Sequence, residues 1–143
     1  MGDTAAFRHD QNVPEVYKAF LAAEMAVRAA GIPAGLKHLI YLRVSQLNDC
    51  AYCVKMHSHE ARADGETNDR LDRLVVWRHV DDFTAAEKAA LAWAEALTRL
   101  PAPEGFAPLR AQVREHWTDQ QASALTVAVA QINLWNRLGV SGH

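Results

Sequence analysis

The sequence has no apolar run near the roughly 20 residues that a bilayer-spanning helix requires, so no membrane partner is expected. Its opening, MGDTAAFRHDQNVPE, lacks the apolar stretch of a secretory signal, and a cytoplasmic location is expected. Neither sign of charge dominates: the formal net charge is -2, and no basic cluster is interleaved with aromatics. Nucleic acid is therefore not an expected partner. Repeats and low-complexity tracts are absent, and no linker is long enough to divide the chain. One domain over residues 1–143 is expected, with enough chain to bury a core. Cysteine is scarce as well. There are two, and in a reducing compartment a close pair is more readily catalytic, redox-active or metal-binding than a structural staple.

What is present is helical periodicity almost throughout. No segment alternates strictly enough to argue for a strand, so the expected fold is all-α, a bundle of about six to seven helices. A first helix follows Pro14, with Val16, Phe20, Ala23 and Val27 on one face and Gly31 as its stop. A second follows Pro33 and carries Leu36, Leu39, Ile40, Leu42, Val44 and Leu47. A short third helix starts behind Asp49 as cap and ends at Gly65. Thr67 or Asn68 caps a fourth, running through Trp77. Thr84, with Glu87 three residues on, forms a capping box for the fifth. PAPEGFAP is expected to be loop, followed by helices near Leu109–Trp117 and from Asp119 to about Leu138.

The chemistry centres on Asn48-Asp49-Cys50-Ala51-Tyr52-Cys53-Val54-Lys55-Met56-His57. On a helix Cys50, Cys53 and His57 fall at i, i+3 and i+7, so they share a face. The sulfurs are then within bridging reach, with an imidazole one turn from the second. A neighbouring histidine and helix amides both favour a thiolate. Cys53, four residues before His57, is the candidate nucleophile. Cys50, nearer the helix start, is expected to be the more exposed thiol, although Asp49 disfavours its ionisation. Inert core thiols and metal binding remain open at this level. Tyr52 is placed either at a substrate entrance or in an interface. Glu60 and His59 are assigned to a solvated face beside Lys55 and Arg62, and the four tryptophans to core or subunit contacts. Ser45 and Gln46 are expected to hold the second helix against the cysteine helix.

The runs LIYLRVSQLNDCAYCVKMHSHEARADGET, LDRLVVWRHVDDFTAAEKAALAWAEALT and VAQINLWNRLGV resemble the alkylhydroperoxidase D and carboxymuconolactone decarboxylase superfamily. Cys-x-x-Cys-x-x-x-His behind Leu42-Arg43-Val44-Ser45-Gln46 carries the likeness, which is strongest over residues 36–98. The resemblance implies an all-helical homotrimer or homohexamer. For its peroxidase branch it implies that Cys53 attacks a hydroperoxide, Cys50 closes the disulfide and His57 relays protons. A dithiol reductant, lipoylated or thioredoxin-like, then restores the thiols, and no cofactor or metal is required. The family's relay glutamate, twelve residues before the first cysteine, is here His38. His38 is expected to take over the relay beside His57. The substitution also completes a Cys2His2 set whose ligand types suit zinc, though the spacing of Cys53 and His57 does not. The superfamily's lactone decarboxylase branch and a non-enzymatic redox sensor are the competing functions.

Overall fold

The computed structural model describes residues 2–143. Among them every regular element is helical: α1 (His9–Asn12), α2 (Pro14–Arg28), α3 (Ala34–Leu47), α4 (Ala51–Ala63), α5 (Asn68–Arg73), α6 (Ala85–Arg99), α7 (Phe106–Arg114) and α8 (Asp119–Gly142). Two 3-10 turns, Leu74–His79 and Pro103–Gly105, join α5 to α6 and lead into α7. The all-α expectation holds, with a helix count slightly above the expected one. No helix of the described residues is long and apolar enough to cross a membrane.

The bundle is organised around α3, in which every residue from Leu36 to Ser45 is buried. A helix apolar on more than one face must be covered on more than one side. One side packs Ile40, Tyr41 and Val44 against Trp93 of α6 and Leu125, Val129 and Ile132 of α8. The other packs Leu39 and Leu42 against Ala61, Leu71, Leu74, Trp77, Phe83 and Leu91. Each fully buried Leu or Ile contributes about 1.5–3 kcal/mol, so these two clusters supply the main favourable term.

The polar residues within α3 have partners. Arg43 Nε donates to Glu95 Oε1 at 2.7 Å, and the same carboxylate accepts Trp77 Nε1 at 2.9 Å and Arg78 Nη1 at 2.5 Å. Burial pushes Glu95 upward, but the hydrogen bonds from Trp77, Arg78 and Arg43 outweigh it and hold the carboxyl below its ordinary range. One ion thus joins α3, α6 and the first 3-10 turn. Ser45 bonds the carbonyl of Tyr41 and accepts from Asn136 of α8, while Gln46 accepts from Arg43. These side chains therefore secure α3 within itself and to α8, where contact with the cysteine helix was expected.

Local signals place most helix ends. Thr67, Thr84 and Thr118 each cap the helix that follows, and Thr84–Glu87 and Thr118–Gln121 are complete capping boxes. Gly65 sits at φ +95°, just past α4, where a side chain would be strained. Three expectations change. Asp49 is not the cap of α4 but lies at φ +52°, and Cys50 takes the capping position. The segment read as loop contributes a 3-10 turn and, from Phe106, the start of α7. On α2, Val16 and Ala23 are exposed, and the buried positions are Glu24 and Val27.

Candidate functional site

Cys50 and Cys53 are joined in a disulfide at the start of α4, with Cα atoms 5.2 Å apart. As cap, Cys50 accepts the Cys53 backbone N–H on its sulfur at 3.3 Å, so the first turn of α4 is built around the bridge. Both sulfur residues are buried, Cys50 at 1 % and Cys53 at 3 % exposure. Only Cys53 lines the adjoining cavity, which measures about 430 Å³. The expectation that Cys50 is the more exposed thiol is thereby reversed: the capping position turns its sulfur into the helix start, and the second cysteine faces the opening.

α8 closes the far side of the bridge. At Gly139 a Cβ would lie 2.9 Å from Cys50 Sγ and 3.1 Å from Cys53 Sγ, closer than real contacts allow. Glycine at this position lets the α8 backbone lie directly on the disulfide. The sequence showed Gly139 only as part of a matching tail, with no chemical role.

His57, one turn after Cys53, lines the same cavity. It is buried, and neither ring nitrogen has a hydrogen-bond partner. Glu60 Oε2 lies 3.4 Å from Nδ1, near enough to attract but without hydrogen-bond alignment. Burial lowers the imidazole's proton affinity, Glu60 and Glu24 oppose that, and Lys37 adds to it; the net direction is down. An unpartnered buried imidazole is uncommon enough in folded proteins to mark a candidate functional site.

The ring packs edge-on against Tyr41, with centroids 5.3 Å apart. Tyr41 in turn donates from Oη to Glu24 Oε2 at 2.7 Å. Arg28 Nε and Lys37 Nζ approach the other oxygen of Glu24 at 3.3 and 3.7 Å. Burial and the bond to Glu24 push the Tyr41 phenol far above its usual range, so it stays protonated. Glu24 lines the cavity and went unnoticed in the sequence because it stands among alanines on α2.

His38 is placed differently from expectation. Its Nε2 meets Asp64 Oδ2 at 2.5 Å, tying α3 to the end of α4, and it does not line the cavity. Tyr41, one turn further along α3, is the residue that meets His57. The set His38, Cys50, Cys53 and His57 therefore does not converge. Among the described residues no group of three or more His, Cys, Asp or Glu is arranged to hold a metal ion.

The mouth of the cavity is formed by chain ends. Phe7 and His9 reach it from the N-terminal segment, and His143 stacks on Tyr52 with centroids 4.3 Å apart. His9 Nε2 lies 2.9 Å from Ser141 Oγ, which fastens the two ends together. His9 lines the cavity, as does Trp135, which was assigned with the other tryptophans to core or subunit contacts. Tyr52 and Glu60 line it too, whereas His59 is exposed and takes no part.

Comparison with known proteins agrees with the all-helical fold. The protein YdfG of Bacillus subtilis, itself uncharacterized, is 37 % identical over 128 residues, covering 90 % of this chain and 87 % of its own. A protein of unknown function from Agrobacterium tumefaciens, proposed to be the antioxidant defence protein AhpD, superposes with a TM-score of 0.91 at 34 % identity. That match covers 97 % of this chain and 95 % of the other. An uncharacterized peroxidase-related protein from Ralstonia eutropha, with an alkylhydroperoxidase AhpD core, gives a TM-score of 0.76 at 25 % identity, covering 90 % of this chain and 68 % of its own. The sequence profile of the carboxymuconolactone decarboxylase family matches residues 14–96, α2 through most of α6, and the chain belongs to that family.

Proposed function

We propose that this protein is a thiol-dependent peroxidase that reduces hydroperoxides through a Cys53 sulfenate and a Cys50–Cys53 disulfide. The observation that carries the proposal is the asymmetry of the bridge: Cys53 faces an open cavity beside an unpartnered imidazole, while Cys50 is turned into the helix start. In the reduced enzyme, the Cys53 thiolate attacks the distal peroxide oxygen. The O–O bond breaks, and the alcohol leaves with a proton supplied by His57, leaving a sulfenic acid on Cys53. Cys50 then attacks that sulfur, water departs, and the bridge closes. A dithiol reductant, of lipoylated or thioredoxin-like kind, restores both thiols by exchange and becomes a disulfide itself. No organic cofactor or metal takes part.

The proposal extends to assembly as a homotrimer or homohexamer. Val13, Val16 and Met25, on and just ahead of α2, are between 48 and 65 % exposed, apolar side chains that a second copy of the chain would cover. The function is tested by turnover of an organic hydroperoxide with a dithiol donor, followed by mass measurement of the cysteine pair. Multiple turnovers that vanish in Cys53→Ser support the proposal. A disulfide that cycles without turnover would favour a redox sensor and refute the peroxidase.

A further inference from the structure

His57 has a buried ring with no hydrogen bond, and the relay carboxylate expected from α3 is replaced by a histidine engaged elsewhere. The charged and titratable groups around the ring can be taken in turn. From α2, Glu24 already binds Tyr41, Arg28 and Lys37. From α3, Lys37 faces Glu24 and the Tyr41 ring and is also within electrostatic reach of Glu60, and Tyr41 meets the His57 ring at right angles without a hydrogen bond. Asp64 is held by His38. At the mouth, Asp10 pairs with Arg8 at 3.8 Å, and His9 and His143 are occupied by Ser141 and Tyr52. Among the described residues, Glu60 is the cavity-lining carboxylate whose sole ion-pair neighbour is His57. Its side chain is 37 % exposed, and 3.4 Å separates it from Nδ1.

We infer that Glu60 is the positioning residue of the proton relay, acting on Cys53 through His57 from within the same helix. The inference rests on Cys53 being the attacking thiol. In the reduced protein the Cys53 proton passes to one nitrogen of His57, leaving a thiolate. The other nitrogen, Nδ1, then donates its N–H to Glu60, which closes from its present distance and holds the imidazolium. No electrons move in this step. The carboxylate that the family takes from the preceding helix is supplied here from a position three residues beyond the histidine. That agrees with the direction of Glu60's effect, which raises the proton affinity of His57 against the burial that lowers it.

The sign of the effect separates this role from a direct one. If Glu60 acted on the thiol only through space, removing its negative charge would favour the thiolate and speed alkylation. Acting through His57, its removal weakens the imidazolium and slows alkylation at neutral pH. The experiment is the rate of Cys53 alkylation by iodoacetamide in the reduced full-length protein between pH 5 and 10. It compares wild type, Glu60→Gln, Glu60→Asp, His57→Ala and the double variant, each checked for native helical content. A charge partner at this distance is worth about one pKa unit, so Glu60→Gln should lower the rate at pH 7 by about tenfold and move the inflection upward. Rates should converge above the ordinary thiol range, Glu60→Asp should recover part of the loss, and Glu60→Gln should add nothing in the His57→Ala background. Superimposable profiles, or a faster Glu60→Gln, would overturn the inference. So would a His38→Gln variant that carries the loss in place of Glu60→Gln. Alkylation needs no peroxide: a shifted profile without turnover defeats the peroxidase and spares Glu60, and turnover with an unshifted profile does the reverse.

Discussion

Gly139→Ala adds a single methyl group where α8 lies on the disulfide, and its cost can be worked from the geometry. The new Cβ would stand 2.9 Å from Cys50 Sγ and 3.1 Å from Cys53 Sγ, roughly half an ångström or more inside an ordinary contact of about 3.5–4.0 Å. Overpacking of this kind costs about 1–3 kcal/mol. Alanine in a helix interior returns about 1 kcal/mol relative to glycine, in both redox states. While the bridge is closed, neither sulfur can move without the other and the penalty is borne in full. Once it is reduced, Cys53 can swing into the cavity it already lines, and Cys50, released from the bridge, can turn about its own Cα–Cβ bond away from α8, so that both contacts are relieved. The penalty therefore falls on the oxidised form, and the pair should become easier to reduce by roughly 20–65 mV, taking about 30 mV for 1.4 kcal/mol. Equilibration in graded dithiothreitol buffers, with acid quench, alkylation and mass measurement, gives the potential of wild type and variant. A companion thermal scan should show the oxidised variant melting below the oxidised wild type, and the reduced variant no lower than the reduced wild type. An unchanged potential, with melting raised equally in both states, would refute the close approach of α8 to the sulfurs.

Cys50→Ser should stop the peroxide cycle at a Cys53 sulfenic acid trappable by dimedone, whereas Cys53→Ser should give no adduct; the reverse pattern would exchange the two roles. Glu95→Ala should cost about 3–5 kcal/mol in urea unfolding, because it leaves Arg43 buried without its acceptor, and a loss under 1 kcal/mol would contradict the network. The folded carboxyl of Glu95 lies below its unfolded value, so its contribution is present above the ordinary carboxylate range. It fades as pH falls through the lowered folded value, and the gap between wild type and Glu95→Ala should narrow in acid. Light scattering at micromolar concentration should give a multiple of 15.8 kDa consistent with a trimer or hexamer, and Met25→Lys should shift it toward the monomer; a wild-type monomer would remove the assembly.

Where local chemistry decides, the chain announces its structure. Thr84 with Glu87, Thr67 and Gly65 set helix ends through neighbours three or four residues away, and they stand where the sequence indicates. The errors arise where tertiary packing decides. Val16 and Ala23 fit an apolar stripe on α2, yet that helix turns Glu24 inward because Tyr41, Arg28 and Lys37 are there to receive it. Nothing in a 3.6-residue period marks a carboxylate for burial when two of its three partners, Tyr41 and Lys37, lie on another helix. Asp49 likewise resembles a cap, but the chain passes from α3 to α4 so tightly that Asp49 takes the left-handed conformation and the cap falls to Cys50.

The site divides in the same way. Cys50, Cys53 and His57 lie on one helix, so their spacing alone brings them together. His38 was assigned by position relative to the cysteines, and such an assignment holds only if α3 and α4 keep the family's side-chain pairing. Asp64, at the end of α4, gives His38 a partner outside the cavity. Tyr41 instead meets the imidazole as a ring at right angles to it, which neither donates to it nor accepts from it. That leaves His57 without a hydrogen bond from α3 and makes Glu60 consequential. A half-buried glutamate between a histidine and an alanine is unremarkable in sequence, and its meaning comes from the cavity that α2, α8 and the chain ends close around it. The chemistry of a Cys-x-x-Cys helix can thus be legible in the chain while its proton handling is not. Bond formation between the sulfurs needs one helix, whereas holding the proton depends on everything packed against it.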